Sequence, residues 1–459
     1  MRSGPRASSA AVAALAAILA FSGFGPARAQ QVVIPQPIPP QFNFPEPAAT
    51  VNAWIASSNT AAIRGHAWDL WAGLTANSGQ MYNGQDLPIW ETWYGQEEVF
   101  PPNATTSGGA LMAFVASRPR TIRAFVSPHQ FHHEALRGLT ASQQDVATQV
   151  VSFNKFDPSA ATFIAASQPG PNGQNFAYNK QSSLQALNAA WPSGASGQTR
   201  AVNEFPIAAM ELKPVFTFVK ARGLTPQPLW QGPAGSTRPA NPTPATWNTC
   251  VLIDPAGAGG VRPATPAEIS QAVNVGPLAC KTYLYGPLSL FYSFKMTAAE
   301  AQAFANTQQG SPSAGDYAVL VAMHVNSKEI PFWTWQTFWW QPGQDTPNDF
   351  PGSKAGQPAS LPPPWNNYAS CTNYDQTTKP GGTTMQVCFN PYLETSPSIP
   401  VGITSNCMSC HGTARILANQ PDESYPTAYT APISFFQDAA YFNSLSTHTD
   451  FSWAIPGAQ

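Results

Sequence analysis

Cys407, Cys410 and His411 stand in the order Cys-x-x-Cys-His. Two thiols at this spacing, followed at once by an imidazole, form the attachment pattern of c-type haem. The two intervening residues let both sulfurs reach the vinyl groups on one porphyrin edge. The next residue then lies under the iron and offers a ring nitrogen as axial ligand. Two other chemistries use Cys-x-x-Cys. A thiol–disulfide centre needs a thioredoxin-like strand and helix around the pair, and the flanking sequence shows neither. A zinc site needs a second Cys/His pair at short spacing, and the sequence beyond the motif has none. The motif predicts one covalently attached haem c with His411 on the iron.

The sixth iron position separates electron transfer from catalysis. A second strong ligand closes the iron, whereas an open position permits peroxide or oxygen chemistry. Small cytochromes c place a Met well after the motif, but here no Met follows His411. The chain runs only 48 residues past His411, short for the closing helices of that fold, so the larger body is expected to complete the pocket. His448 is the one downstream His; Met210, Met323, His324 and His66 are the upstream candidates. His324 has the best context, on a predicted strand beside the small Ala322. It is the first candidate for distal ligand or distal-pocket residue, against a buried structural histidine. Arg415, four residues after His411, is placed to pair a haem propionate or to lie on the surface.

Three further groups invite chemistry. His129, His132 and His133 have i, i+3, i+4 spacing and would share one helical face, as in metal sites; Glu134 is the one nearby carboxylate, and a solvated or structural reading is preferred. Residues 203–216, which contain Glu204, Glu211 and Lys213, read as a strand leading into a buried acid/base pair. Arg118, Arg120 and Arg123 form a short basic patch.

These side chains need elements to position them. The strongest predicted strand runs from Tyr317 to Val325. Tyr317, Val319, Val321, Met323 and Val325 fall on one face, and Ala318, Leu320, Ala322 and His324 on the other. Apolar residues on both faces predict a central, twice-covered strand. Next, Trp333, Trp335, Thr337 and Trp339 alternate onto one face, as an aromatic core and as an apolar wall for a haem pocket. Thr50 to Leu74 has helical spacing, and capping boxes open at Thr140, Thr265 and Thr297. Residues 231–265 and 341–364 are Pro/Gly-rich loops. The fold class predicted is α+β: a β-core, surrounding helices and many loops. Its segments are a signal peptide at 1–29, a Pro-rich arm at 30–50, a body at 51–395 and a haem-binding segment at 396–459. The arm reads as a membrane linker or as a strap on the body.

Arg2 and Arg6, the apolar run from Ala10 to Phe21 and the small residues Ala27 and Ala29 predict a secretory signal cleaved after Ala29. The run is short for a membrane anchor, and no later run is long enough to span. Signal and motif together point to the periplasm, because haem c is attached outside the cytoplasmic membrane. There Cys250, Cys280, Cys371 and Cys388 are free to form two disulfides. Of three possible connectivities, the preferred one is local: Cys250 with Cys280, and Cys371 with Cys388. Charged residues are 10% of the chain and the net charge is −2, so no basic surface predicts nucleic acid or anionic membrane as a partner. Hydrophobic residues at 43% with 14 Trp argue against disorder.

The chain resembles a family of bacterial periplasmic cytochrome c-like proteins. The resemblance is carried by Gly65-His66-Ala67-Trp68-Asp69-Leu70-Trp71, Glu211-Leu212-Lys213-Pro214-Val215-Phe216, Val321-Ala322-Met323-His324-Val325, Trp333-Thr334-Trp335-Gln336-Thr337-Phe338, the Cys407–His411 motif and Thr449-Asp450-Phe451-Ser452-Trp453. It departs where Trp339-Trp340 stands in place of the family's Glu-His. The resemblance implies haem binding and electron transfer, with no established substrate. The sequence thus predicts a periplasmic mono-haem cytochrome that passes single electrons to or from a redox partner, protein or small molecule. The rivals are a haem peroxidase or oxygenase acting on a small apolar or aromatic substrate, and a sensor reading a gas or ligand at the iron.

Overall fold

The computed structural model describes residues 32–101, 119–126, 151–191, 200–231, 243–307, 309–343, 353–374, 386–395, 403, 406–412, 414–416 and 447–455. The expected signal peptide, the His129, His132, His133 and Glu134 cluster, Arg118 and the Thr140 box lie outside these residues.

The framework is a seven-stranded sheet. Its strands are β1 (Tyr94–Gly95), β2 (Lys155–Phe156), β3 (Met210–Val219), β4 (Ser293–Lys295), β5 (Tyr317–Ser327), β6 (Thr334–Trp340) and β7 (Tyr368–Thr372). They lie in the order β7-β6-β5-β3-β2-β1, with β4 also on β5. Every pairing is antiparallel. β5 sits in the middle, as its apolar residues predict, with helices alongside; the α+β class holds.

Partners opposite each other in an antiparallel ladder share a face. The register pairs His324 with Thr337 and with Lys213, Asn326 with Trp335 and with Glu211, and Ala322 with Trp339 and with Val215. These residues form one face. Met210, Leu212, Met323, Val325, Phe338 and Trp340 belong to the opposite face and its large core. That core is covered by α2 (Thr60–Thr75), whose Trp71 stacks on Phe338 at 4.3 Å. α1 (Ala48–Ala56) is separate from α2. The expected single helical stretch breaks because Ser58 takes φ 52° and the Asn59 side chain then caps α2 by accepting from the Ala62 N–H at 3.1 Å.

The alternation predicted for β5 needs a correction. A bulge between Leu320 and Ala322 shifts the register against β3. An extra residue on one strand reverses the facing of the residues beyond it. Ala318 and Leu320 therefore pack in the large core with Phe216 and Phe218, while Val321 and Ala322 pack with Val215 and Trp339.

The Pro-rich arm is a strap on the body from residue 32 onward. Ile34 and Gln80 exchange two hydrogen bonds of 2.7 Å, and the Trp93 indole donates to the Gln36 carbonyl at 2.7 Å. Arg120 and Arg123 do not form a surface patch. Both are buried; Arg120 binds both oxygens of Glu98 at 2.7 Å, and Arg123 binds both oxygens of Glu91 at 3.1 and 2.9 Å. Buried guanidinium groups need such bidentate partners, and the short elements at Ile89–Thr92 and Gln96–Val99 supply them.

A four-stranded sheet runs in the order Arg262–Pro263, Thr282–Pro287, Thr249–Asp254, Thr225–Pro228, its middle pair parallel. The two expected disulfides are present: Cys250–Cys280 beside that parallel pair, and Cys371–Cys388 on β7. The capping boxes at Thr265 with Glu268 and Thr297 with Glu300 also form. Among the described residues no helix is long and apolar enough to cross a membrane.

Candidate functional site

Cys407, Met408, Ser409, Cys410 and His411 form a short helix, α3 (Cys407–His411). One turn of helix gives the two cysteines the i, i+3 relation that brings their positions onto one side. The helix lies on the same sheet face as His324. Met408 is buried in a cluster with Trp333, Trp335 and Phe451, and Cys407 packs partly buried beside it. The Trp335 indole meets the His411 imidazole with ring centroids 4.5 Å apart. The aromatic alternation of β6 thus supplies the wall behind the motif.

His411 Nδ1 lies 2.9 Å from the backbone carbonyl oxygen of Phe451. A carbonyl only accepts, so Nδ1 carries the proton and Nε2 presents its lone pair. Burial lowers the His411 pKa well below its ordinary value; the Phe451 bond opposes this, and His324 and Lys213 add to it. The low pKa keeps the ring neutral, the form in which an imidazole can ligate a metal.

His411 lines a small cavity together with Asn154, Glu211, Lys213, His324, Asn326 and Trp453, among others. The cavity is half open to its surroundings, with about 20 Å³ of room for water among the described residues. Residues 396–402 and 417–446, which flank the motif on either side, lie outside the described residues. The donor set itself fits haem c: two cysteines at helical spacing and an adjacent imidazole with its outer nitrogen tied to a carbonyl. That tie is the usual outer contact of a metal-binding histidine.

His324 reaches this cavity from the middle of β5, and its Nε2 lies 2.5 Å from Glu394 Oε1. Glu394 is not legible in the sequence, because nothing local marks it. It is delivered by the Cys371–Cys388 bridge. That bridge pins the segment after Cys388 to β7, and Asn390 then donates to Thr337 Oγ1 at 2.7 Å and to the Phe338 carbonyl at 2.9 Å, both on neighbouring β6. Glu394 comes one turn later, its backbone N–H bonded to the Asn390 carbonyl at 2.9 Å.

The other sixth-ligand candidates are not on this cavity. Met210 and Met323 point into the opposite core. His66 uses both ring nitrogens elsewhere, on Tyr374 Oη at 2.8 Å and Glu329 Oε1 at 3.1 Å. His448 Nε2 donates to the Gly412 carbonyl at 3.0 Å, just past the motif. Arg415 is half-buried and its backbone bridges to His448. Glu211 and Lys213 are buried on β3, which begins at Met210 and not at residue 203 as expected. Burial pushes the Glu211 carboxyl up to about 7, against the hydrogen bond it accepts from Ser452 Oγ at 2.6 Å. Among the described residues no group of three or more His, Cys, Asp or Glu is arranged to hold a metal ion.

The chain matches no protein-family profile, no curated protein and no solved structure.

Proposed function

We propose that this chain is a c-type cytochrome of the periplasm. It holds one haem c covalently through Cys407 and Cys410, with His411 as axial ligand, and exchanges single electrons with a redox partner. The observation that supports this most is the 2.9 Å contact between His411 Nδ1 and the Phe451 carbonyl, which leaves Nε2 as the donor beside a Cys-x-x-Cys helix. A bound haem supplies a one-electron iron couple whose potential depends on the axial ligand, its hydrogen bonding and its burial. The protein's part is to orient His411, to keep it neutral and to wall the site with Trp335. The sequence resemblance to periplasmic cytochrome c-like proteins points the same way, as does the predicted signal.

His324, paired with Glu394, lines the cavity beside His411, and this favours a second reading. A histidine held by a carboxylate is a good proton carrier, so a peroxidase or oxygenase acting on a small substrate is the alternative.

The test is to express the full chain in a periplasm that matures c-type haem. Covalent haem staining on a denaturing gel is expected for the native chain and not for the Cys407→Ala/Cys410→Ala variant; stain in both refutes the haem c reading. A reduced spectrum unmoved by carbon monoxide supports the electron carrier. Ready carbon monoxide binding supports the enzyme reading.

A further inference from the structure

The acceptor that fixes His411 sits in an unusual piece of backbone. Thr449-Asp450-Phe451-Ser452 is a turn closed by the Ser452 N–H on the Thr449 carbonyl at 3.0 Å. Both central residues have positive φ, 49° at Asp450 and 67° at Phe451. Positive φ at both centres is the signature of a type I′ turn, which favours Asn-Gly. Asp tolerates this region, but Phe does not, at a cost of roughly 1–2 kcal/mol.

The surroundings over-determine the turn. Asp450 Oδ1 accepts from Lys328 Nζ at 2.7 Å, and Oδ2 accepts from the Phe205 N–H at 2.8 Å. Lys328 comes just after the end of β5; its Nζ also donates to the Pro331 carbonyl at 2.7 Å, and its N–H to the Ala209 carbonyl at 2.9 Å. The far side of the turn is held by Ser452 Oγ on Glu211, and the Thr449 hydroxyl donates to the Ser452 carbonyl at 2.7 Å. The Phe451 ring lies against Phe332, Trp335 and His448. Lys328 and Asp450 are both buried. A buried pair of this kind contributes position more than stability, since desolvation offsets much of its attraction.

We propose that Asp450 and Lys328 are positioning residues: they clamp the turn so that the Phe451 carbonyl holds His411 Nδ1–H, and so decide which imidazole nitrogen is free to bind. This deepens the haem c reading and rests on it for its purpose, though not for its geometry. Relaxing Phe451 to negative φ rotates the peptide that carries this carbonyl away from His411. The two neutral tautomers then lose their bias. One hydrogen bond of ordinary strength corresponds to a roughly five-fold change in their ratio. With iron bound, loss of the bond makes the imidazole a weaker donor and raises the reduction potential.

The experiment uses the full chain carrying Cys407→Ala and Cys410→Ala, which has no thiols for haem attachment, with nitrogen-15 NMR of the His411 ring. The parent is expected to show one tautomer, with the proton on Nδ1. Asp450→Asn keeps one acceptor for the Phe205 N–H, so the variant still folds, but it discharges the Lys328 pair and leaves the turn held on that side by a single contact. It is expected to lower the tautomer ratio roughly five-fold. Phe451→Gly adopts positive φ freely and is expected to keep the parent tautomer. An unchanged ratio in folded Asp450→Asn overturns the proposal. So does loss of the tautomer in folded Phe451→Gly, since ring packing would then place the carbonyl. In the chain with both cysteines, Asp450→Asn is expected to raise the midpoint potential. If that chain binds no haem, the haem reading fails while the NMR result still judges the clamp.

Discussion

The Trp335 indole lies 4.5 Å from the His411 imidazole, centroid to centroid, at an interplanar angle of 42°. The indole N–H is committed to the Phe332 carbonyl at 2.8 Å, so the ring face, not the donor, meets the histidine. Trp335 thus joins the sheet to the motif helix through packing alone at this contact.

Trp335→Ala should destabilise the protein by about 3–5 kcal/mol, the usual cost of emptying a fully buried Trp site. Trp335→Phe should cost less, because most of the apolar volume remains. Denaturant unfolding of both variants checks this. Equal midpoints for native and Ala forms would show that the contact carries no weight.

Arg123→Ala should cost about 3–5 kcal/mol, since it leaves Glu91 buried without its cation. The Tyr292 hydroxyl, 2.6 Å from Glu91 Oε2, would be a lone remaining hydrogen-bond donor among the described side chains on that oxygen. The readout is again the denaturation midpoint, compared with an Arg262→Ala variant, whose exposed pair should change it little.

The buried Glu211 makes stability depend on pH with a definite sign. Burial raises its pKa from 4.5 to about 7, so between those values the folded state holds a proton that the unfolded chain has released. The contribution to stability is present below about 4.5 and is lost as pH rises through about 7. Glu211→Gln lacks this loss. The stability of the variant relative to the native chain should grow across that window, by up to about 3 kcal/mol, and stay level above it. Thermal melts at closely spaced pH values measure the difference; a flat difference would mean that Glu211 titrates normally.

Opening Cys371–Cys388, 17 residues apart, should cost about 3 kcal/mol through the freed unfolded chain. It should also release Glu394 from His324. A paired Cys371→Ala/Cys388→Ala variant, with the His324 ring resonances monitored by NMR, tests both effects at once. Unmoved resonances would mean that Asn390 holds the segment unaided.

His324→Ala should alter the absorption spectrum of the oxidised, haem-loaded chain if His324 touches the iron site. An unaltered spectrum and potential would return it to a structural role with Glu394.

The local parts of this fold are readable in the sequence. The central strand, the aromatic alternation of Trp333 to Trp339, two capping boxes and both disulfides come from spacing; the helix at Cys407–His411 is not among the sequence expectations. Long-range pairing decides the parts that are not. The bulge after Leu320 depends on β3, not on the residues of β5, so alternation alone puts Ala318 and His324 on one face when they lie on two. Arg120 and Arg123 look like surface charge because their partners, Glu98 and Glu91, lie more than twenty residues away. Glu394 and the Phe451 carbonyl are invisible for the same reason; Asp450, a residue tolerant of positive φ, is the one hint of the turn.

The Phe451 carbonyl comes 40 residues after the histidine it holds. Every strand of the large sheet and both disulfides precede it in the chain. During synthesis, then, the framework can assemble while the motif still lacks its orienting contact, and the orientation of the His411 ring is finished only by residues near 451. A chain stopped short of residue 451 would keep its thiols and its sheet but not a directed imidazole.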